Sequence, residues 1–339
     1  MKRKKHTIKS IAKEMEVSIA TISFILNGKG REKGISKRMI DKVEAYCKEI
    51  DYRPNALAKS LRTGKSMILV VIVEDIYSKL ARVIEELAYK KGYQVLFCSN
   101  NNDDVKSKKL ISLFRDRKVD GFIIAPSPGI KDEIEKLQKE QFPIVLFDRY
   151  FSDLSNHKVI SDNYQASTKV MKCLKQNAYR NILLITPDSE QTQILARINA
   201  YKDAVREFNL EEHIFSINLI EEEVEARRKN LKKRLSEDNF DAIFFTTGYL
   251  GRLGLEVMKD QFPAYLHSKG IFSYDDDILF KLFTPSISAV EQPIQKMGEA
   301  LLEIILEEID AKNPLDKKEI ILESQLHFRE SSQEKLKLQ

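Results

Sequence analysis

One short stretch of the sequence carries side chains suited to contacting the edges of DNA bases. If residues 19–27, IATISFILN, form a helix, Ile22, Ile25 and Leu26 fall on one face. The remaining side chains then point away from that face: Ile19, Ala20, Thr21, Ser23, Phe24 and Asn27. Methyl and ring carbons can contact thymine methyl groups, and hydroxyl and amide groups can bond to bases or phosphates. This outer face is therefore predicted to bind DNA.

Two helices joined by a tight turn are predicted to hold this face. Ile8, Ile11, Ala12 and Met15 recur at helical spacing and predict a first helix. Residues 16–18 form the turn, Ser18 caps the second helix, and residues 27–28, Asn-Gly, end it. This is the pattern of a helix-turn-helix, whose second helix enters the major groove. The residues that precede the two helices, Thr7 and Ser18, are included among the predicted DNA contacts.

A third helix and a linker are predicted to complete the N-terminal region. Ser36 can cap a helix that runs to Ile50 and closes a three-helix headpiece over residues 1–52. Pro54 forces its predecessor out of the helical region, and Asn55 can cap two helical turns over residues 56–62. A helix this short is marginal in water, so we expect residues 53–66 to become helical only with partners.

Two N-terminal motifs resemble the lactose-repressor (LacI/GalR) family of bacterial regulators. The first is TIKSIAKEMEVSIATISFILNG at residues 7–28, and the second is IDYRPNALAKSLRTGKS at residues 50–66. The similarity continues to residues 329–331, Arg-Glu-Ser. The resemblance implies a hinge helix that orders on DNA, pairs across a homodimer and inserts a leucine into the minor groove. The matching hinge positions, predicted to contact DNA, are Asn55, Ala58, Lys59, Leu61 and Arg62.

The charge distribution separates this N-terminal region from the rest of the chain. Residues 1–65 contain 17 lysines and arginines and 7 acidic residues, a net charge of +10. The remainder carries 39 basic and 44 acidic residues, a net charge of −5. A basic head fits phosphate binding, whereas an acidic body would be repelled by DNA. The longest apolar run, residues 67–73, is far shorter than the roughly 20 residues of a membrane span, and no signal peptide is recognised.

From residue 67 onwards, buried strands alternate with helices in two successive series. Near-continuous apolar strands such as MILVVIV and DAIFFTT predict parallel, doubly wound sheets. The fold class is therefore an α headpiece followed by an α/β effector domain at residues 67–330, with a tail at 331–339. By resemblance this domain is periplasmic-binding-protein-like and two-lobed. Residues 67–161 with 293–318 are predicted to form one lobe, and residues 162–292 with 319–329 the other.

The carboxyl ends of the strands are predicted to bind a small molecule, because ligands of open α/β sheets bind there. Resemblance singles out Asp148, Arg197 and Asp275 as ligand contacts, since a carboxylate can accept two hydroxyls and an arginine can donate to two oxygens. Three further residues near strand ends complete the predicted effector site: Asp75, Thr247 and Tyr249. The family's Ala-Asn-Asp motif is replaced by residues 247–249, Thr-Gly-Tyr, and its first ligand loop is shortened, so we expect an altered pocket.

These features predict a dimeric regulator, with repression as the expected mode, that binds a palindromic DNA operator. A small effector such as a sugar or sugar derivative, held between two lobes, would control its affinity for DNA. The alternative is a solute-binding protein of a sugar uptake system, which shares the two-lobed body but has no use for a basic headpiece. The sequence lacks the common nucleotide-binding, hydrolase and metalloprotease motifs. No enzyme activity, cofactor or metal is expected, nor any membrane association. Three widely spaced cysteines fit a reduced cytoplasmic protein, which would lie on the nucleoid when bound to its operator.

Overall fold

The structure is a computed structural model that describes residues 6–52, 60, 63–74, 78–219 and 222–333. It separates into two compact units, Met1–Met67 and Ile68–Gln339. Among the described residues, no helix combines the length and the apolar character that crossing a bilayer requires.

Within residues 6–52, the first unit contains helices whose ends are set by local capping. These helices are α1 (Ile8–Glu14), α2 (Ile19–Leu26) and α3 (Lys37–Glu49). Each begins at a hydroxyl residue that accepts a backbone N–H bond, and these residues are Thr7, Ser18 and Ser36. Residues from all three helices form one apolar core: Ile11, Ala12, Met15, Ile22, Ile25, Val43 and Cys47. The predicted three-helix arrangement is therefore present.

The second unit alternates strands and helices. Its strands are β1 (Ile68–Val73), β2 (Gln94–Ser99), β3 (Gly121–Ile124), β4 (Ile144–Phe147), β5 (His157–Ser161), β6 (Ile182–Pro187), β7 (His213–Ile217), β8 (Ala242–Phe245), β9 (Gly270–Tyr274), β10 (Ser288–Glu291), β11 (Glu319–Leu322) and β12 (Gln325–His327). Its helices are α4 (Ser78–Lys90), α5 (Asp104–Asp116), α6 (Lys131–Lys139), α7 (Asn163–Gln176), α8 (Thr192–Phe208), α9 (Val224–Leu235), α10 (Gly248–Gln261), α11 (Tyr265–Ser268), α12 (Ile278–Leu282) and α13 (Ile294–Asp310).

Two six-stranded sheets organise this unit. The first has the strand order β11-β5-β4-β3-β1-β2, and all its pairs are parallel. The second has the order β12-β10-β9-β8-β6-β7, in which only β12 runs antiparallel to its neighbour. Central strands such as β3 and β8 are buried along their whole length. Helices therefore cover both faces of a parallel sheet, as near-continuous apolar strands require. We call the two sheets with their helices the first and second lobes.

The chain passes between the lobes three times, and one of these crossings lies elsewhere than predicted. The first crossing follows β5 and the second follows β10, close to the predicted boundaries. The third lies between β11 and β12, because β11 pairs with β5 in the first sheet. The assignment of residues 319–322 to the second lobe was therefore wrong. The backbone N–H of Asp162 also bonds to the carbonyl of Leu322 at 3.0 Å, which extends this pairing beyond the strand.

Candidate functional site: a cleft between two lobes and an exposed helix face

A cavity of about 1370 Å³ is lined by residues of both lobes in the second unit. It lies at the carboxyl ends of the parallel strands, where ligands of open α/β sheets bind. Five of the six residues predicted to contact an effector line it: Asp148, Arg197, Thr247, Tyr249 and Asp275. The sixth, Asp75, lies outside the described residues.

Two aspartates enter the cavity from equivalent places in the two sheets. Asp148 directly follows β4 and Asp275 directly follows β9, and each has φ of +63°, in the left-handed region. Aspartate adopts this conformation more readily than most residues with a Cβ atom, so it suits the turn that follows each strand. Burial raises the pKa of the Asp148 carboxyl above its ordinary value, although the Arg149 and Arg197 guanidinium groups oppose the rise.

Arg197, on α8, is fixed from three sides. Its Nε donates to Asn163 Oδ1 at 2.9 Å, and one terminal nitrogen donates to the carbonyl of Thr246 at 2.6 Å. The guanidinium carbon lies 3.7 Å from the centre of the Tyr274 ring. The side chain is 2% exposed, so these contacts hold a cation at the wall of the cavity with little freedom to move.

Asp275 is bonded through both carboxylate oxygens. Its Oδ2 accepts the backbone N–H of Gly248 at 2.9 Å, at the start of α10. Its Oδ1 accepts Gln292 Nε2 at 2.7 Å, and Gln292 Oε1 in turn accepts the hydroxyl of Ser161 at 2.9 Å. Because Ser161 ends β5 of the first lobe, Gln292 links the two lobes across the base of the cleft.

Two residues that were not predicted present buried polar atoms without partners among the described residues. Arg149 donates to Asn102 Oδ1 at 2.8 Å and pairs with Glu74, yet its Nε, 3.8 Å from Asp148 Oδ2, has no hydrogen-bond partner. Gln193 donates to Gln191, and its Oε1 atom is likewise unbonded. Both residues line the cavity. A buried donor or acceptor without a hydrogen bond is costly, so a polar ligand that bonded either atom would be stabilised.

The last two predicted residues of the cleft lie at the start of α10. Thr247 is the N-cap of this helix and accepts the N–H of Leu250 at 3.4 Å, so its hydroxyl has a structural partner. Tyr249 is half exposed and offers an aromatic face to the cavity. An aromatic ring beside carboxylates and guanidinium groups is a common lining for pockets that bind polar molecules with apolar faces.

One side-chain cluster has the composition of a cation site: Asp276, Glu291 and His327. Arg329 already bonds to Asp276 at 2.8 Å, and Lys281 lies 3.2 Å from it. Although burial favours the neutral acid, these two cations hold the pKa of Asp276 below its ordinary value. Because the protein's own side chains neutralise this carboxylate, the cluster is an ion-pair network rather than a vacant metal site.

In the first unit, the predicted DNA contacts lie on or beside α2. Ile19 is 51% exposed and Ala20 is exposed, whereas Phe24 is half-buried with the Lys33 ammonium 5.6 Å from its ring centre. Thr7 caps α1 through a reciprocal bond with Ser10. The remaining predicted contacts of the headpiece flank these residues: Ser18, Thr21, Ser23 and Asn27. The predicted hinge contacts lie outside the described residues: Asn55, Ala58, Lys59, Leu61 and Arg62.

Comparisons with known proteins bear on both units. Residues 7–55 match the family described as "Bacterial regulatory proteins, lacI family". Residues 67–244, more than half of the chain, match "Periplasmic binding proteins and sugar binding domain of LacI family", and residues 171–332 match a "Periplasmic binding protein-like domain".

Individual proteins extend this similarity over most of the chain. The HTH-type transcriptional regulator DegA of Bacillus subtilis is 29% identical, over 87% of this chain and 88% of its own. The sucrose operon repressor of Lactococcus lactis is 28% identical, over 90% and 94%. The crystal structure of the lac repressor dimer bound to operator covers 97% of this chain and 100% of its own, with a TM-score of 0.83 at 15% identity. The predicted resemblance and fold class are thus confirmed, and the chain belongs to the LacI family of bacterial regulatory proteins, which are DNA-binding regulators.

Proposed function

We propose that this protein is a homodimeric repressor that binds a specific palindromic operator. Its affinity for that operator decreases or increases when a small polyol binds in the cleft. The observation that carries the effector proposal is the set of charged and unbonded groups in one cavity. Asp148 can accept hydrogen bonds from hydroxyl groups, Arg149 Nε can donate one, and Gln193 Oε1 can accept one. A sugar or sugar derivative carries hydroxyls that both donate and accept, and it therefore matches this mixture.

The position of the cavity supports a role in regulation. Its lining comes from both lobes, so a ligand that bonds to Asp148 of the first lobe and Arg197 of the second favours the closed arrangement of the two. A ligand can shift a conformational equilibrium only by its difference in affinity for the two states. Groups contributed by both lobes provide that difference, since they converge on the ligand only when the cleft is closed.

The homodimer is supported by an apolar surface on the second lobe. In α12, Ile278, Leu279 and Leu282 are all exposed, Leu282 to 71%. Three exposed aliphatic side chains in a five-residue helix form a patch that a second copy would cover. A two-fold dimer also explains why a palindromic operator is expected, since each headpiece would read one half-site.

Two experiments test the proposal. A thermal-shift screen of the full chain against sugars and sugar phosphates should find a ligand that raises Tm, and Asp148→Asn should reduce that shift. Selection from a random duplex library at physiological salt should return a palindrome, and the screened ligand should change the affinity for it. Equal binding to selected and random DNA would refute the repressor assignment.

The oligomeric state is tested separately by light scattering coupled to gel filtration. The unchanged protein should elute as a dimer, and Leu282→Asp should shift it towards the monomer. Val224→Asp, at an exposed aliphatic residue outside α12, introduces the same carboxylate but leaves the apolar patch intact, and it serves as the matched control. A monomeric wild-type protein at micromolar concentration would contradict the dimer.

A further inference from the structure

The face of α2 that is turned to solvent presents carbon atoms where side chains that read DNA usually present nitrogen and oxygen. From Ile19 to Leu26 the helix contains no arginine, lysine, asparagine or glutamine. Arginine and lysine make the commonest specific contact to guanine, and asparagine and glutamine the commonest one to adenine. The helix therefore lacks the donors that usually distinguish purines in the major groove.

The hydroxyls near the start of α2 are engaged within the helix. The Ser18 and Thr21 hydroxyls bond to each other at 2.9 Å, and Ser18 Oγ also accepts the N–H of Thr21 at 3.0 Å. Both groups are held against the first turn, where the residues of a recognition helix that contact base edges lie. These bonds stabilise the start of the helix, and the bond between the two hydroxyls uses the hydrogen of one of them.

The amide at the other end of α2 is engaged in the same way. Asn27 Nδ2 donates to the carbonyl of Ser23 at 2.6 Å and lies 3.4 Å from the Ser23 hydroxyl. This bond holds the amide at the C-cap of α2, away from the first turn, where the residues of a recognition helix contact base edges. The most exposed apolar side chains of this face are those of Ile19 and Ala20, next to the half-buried Phe24 ring.

We infer that α2 reads the 5-methyl groups of thymine by apolar contact, and this inference rests on the proposed operator binding. Thymine is the one DNA base that exposes a methyl group in the major groove, and alanine, threonine methyl and phenylalanine side chains are known partners for it. Ile19 and Ala20 occupy the first turn of the helix, which places them for this contact. Each half-site therefore contains thymine at the base pairs that face Ile19 and Ala20.

The test replaces thymine by deoxyuridine in an operator selected by the full-length protein from a random duplex library. Deoxyuridine pairs with adenine as thymine does and lacks only the methyl group. Each thymine is replaced in turn in both half-sites, and Kd is measured by fluorescence anisotropy at fixed salt. Burial of one methyl or methylene group corresponds to about a 4-fold change in affinity, so we expect about a 15-fold loss for a thymine read once in each half-site.

A variant at an exposed position links the effect to one side chain. Ile19 lies outside the apolar core, so Ile19→Ala should leave the helical content of the protein unchanged, which circular dichroism checks. In this variant the deoxyuridine penalty should fall towards 1-fold at the thymine that Ile19 covers and remain at the other thymines. Ile19→Val keeps a branched apolar side chain and should retain most of the penalty.

The outcomes separate this inference from the proposed function. A selected operator whose affinity is unchanged by every deoxyuridine replacement would overturn methyl reading while leaving the repressor assignment intact. An equal loss of affinity on deoxyuridine replacement inside and outside the half-sites would also overturn it. So would an equal loss of affinity in Ile19→Ala and in the wild type. A library that yields no preferred sequence would overturn both.

Discussion

Replacing Arg197 by lysine removes the planar guanidinium group while preserving the positive charge. The substitution tests how strongly the stability of the cleft wall depends on that planar geometry. In the wild type Arg197 bonds to Asn163 and to the carbonyl of Thr246, and it stacks on Tyr274. A single ammonium at the end of a flexible chain can keep one of the two hydrogen bonds, but not both together with the stacking.

The expected loss of stability follows from the contacts that lysine cannot make. One hydrogen bond involving a charged group contributes about 1.5–3 kcal/mol. The stacked contact with Tyr274 contributes about 2 kcal/mol, because both groups are buried. Arg197→Lys should therefore lower the free energy of unfolding of the second unit by about 4 kcal/mol.

Urea unfolding followed by tyrosine fluorescence measures this loss. The chain has no tryptophan, and ten of its twelve tyrosines lie beyond residue 67, so the signal reports mainly on the second unit. Arg206→Lys is the matched control on the same helix, since Arg206 is 75% exposed and pairs with Asp203 at the surface. Its effect should stay below about 1 kcal/mol. Equal effects of the two substitutions would refute the assignment of Arg197 as a rigid element of the cleft wall.

Three further predictions concern pH, capping and packing. Burial lowers the pKa of His157, whose Nδ1 accepts the N–H of Lys318, so the folded protein binds this proton less readily than the unfolded chain. Above pH about 6.5 this residue should therefore leave the free energy of unfolding unchanged. As the pH drops below about 6.5, it should decrease the free energy of unfolding by at most about 1.4 kcal/mol per pH unit, and His157→Gln should remove that decrease in urea titrations. Ser18→Ala removes the cap of α2 and should destabilise the headpiece by about 1 kcal/mol, seen as a lower Tm of its helical signal. Gly254→Ala would place a Cβ atom 2.2 Å from the Phe245 ring and should cost about 1–3 kcal/mol by calorimetry, whereas an unchanged Tm would contradict the close approach.

The headpiece could be predicted from the sequence because its determinants are local. Ile11 and Met15 lie one turn apart on a short amphipathic helix, and the capping residues stand next to the helices that they start. The second unit was predictable to the extent that its strands are continuous apolar runs, as in β1 and β8. Strand β7 was missed because its burial is partial along most of its length, so no apolar run marks it.

The membership of β11 and the polar network of the cleft could not be predicted, because both depend on contacts between distant residues. Nothing in the sequence of residues 319–322 indicates that they pair with β5 rather than with a strand of the second sheet. Arg149 was visible as the residue after a predicted strand end, but its bond to Asn102 joins positions 47 residues apart. Gln292 was missed because it follows β10, whose residues Ser-Ala-Val-Glu form no continuous apolar run.

The departure of residues 247–249 from the family's motif changes what Asp275 can contribute to a ligand. A Cβ atom at position 248 would lie 2.8 Å from the Asp275 Cβ, so the bond from the Gly248 N–H to the carboxylate depends on glycine at this position. With Gln292 on its other oxygen, Asp275 already accepts one hydrogen bond at each carboxylate oxygen before any ligand arrives. We therefore expect ligand selectivity to depend more on Asp148 and Arg149, whose polar atoms are less fully bonded, than on Asp275. Asp275→Asn should accordingly weaken the start of α10 and lower Tm, whereas Asp148→Asn should mainly change which polyols bind. The reverse pattern in a thermal-shift screen would show that Asp275 keeps the recognition role that resemblance assigned to it.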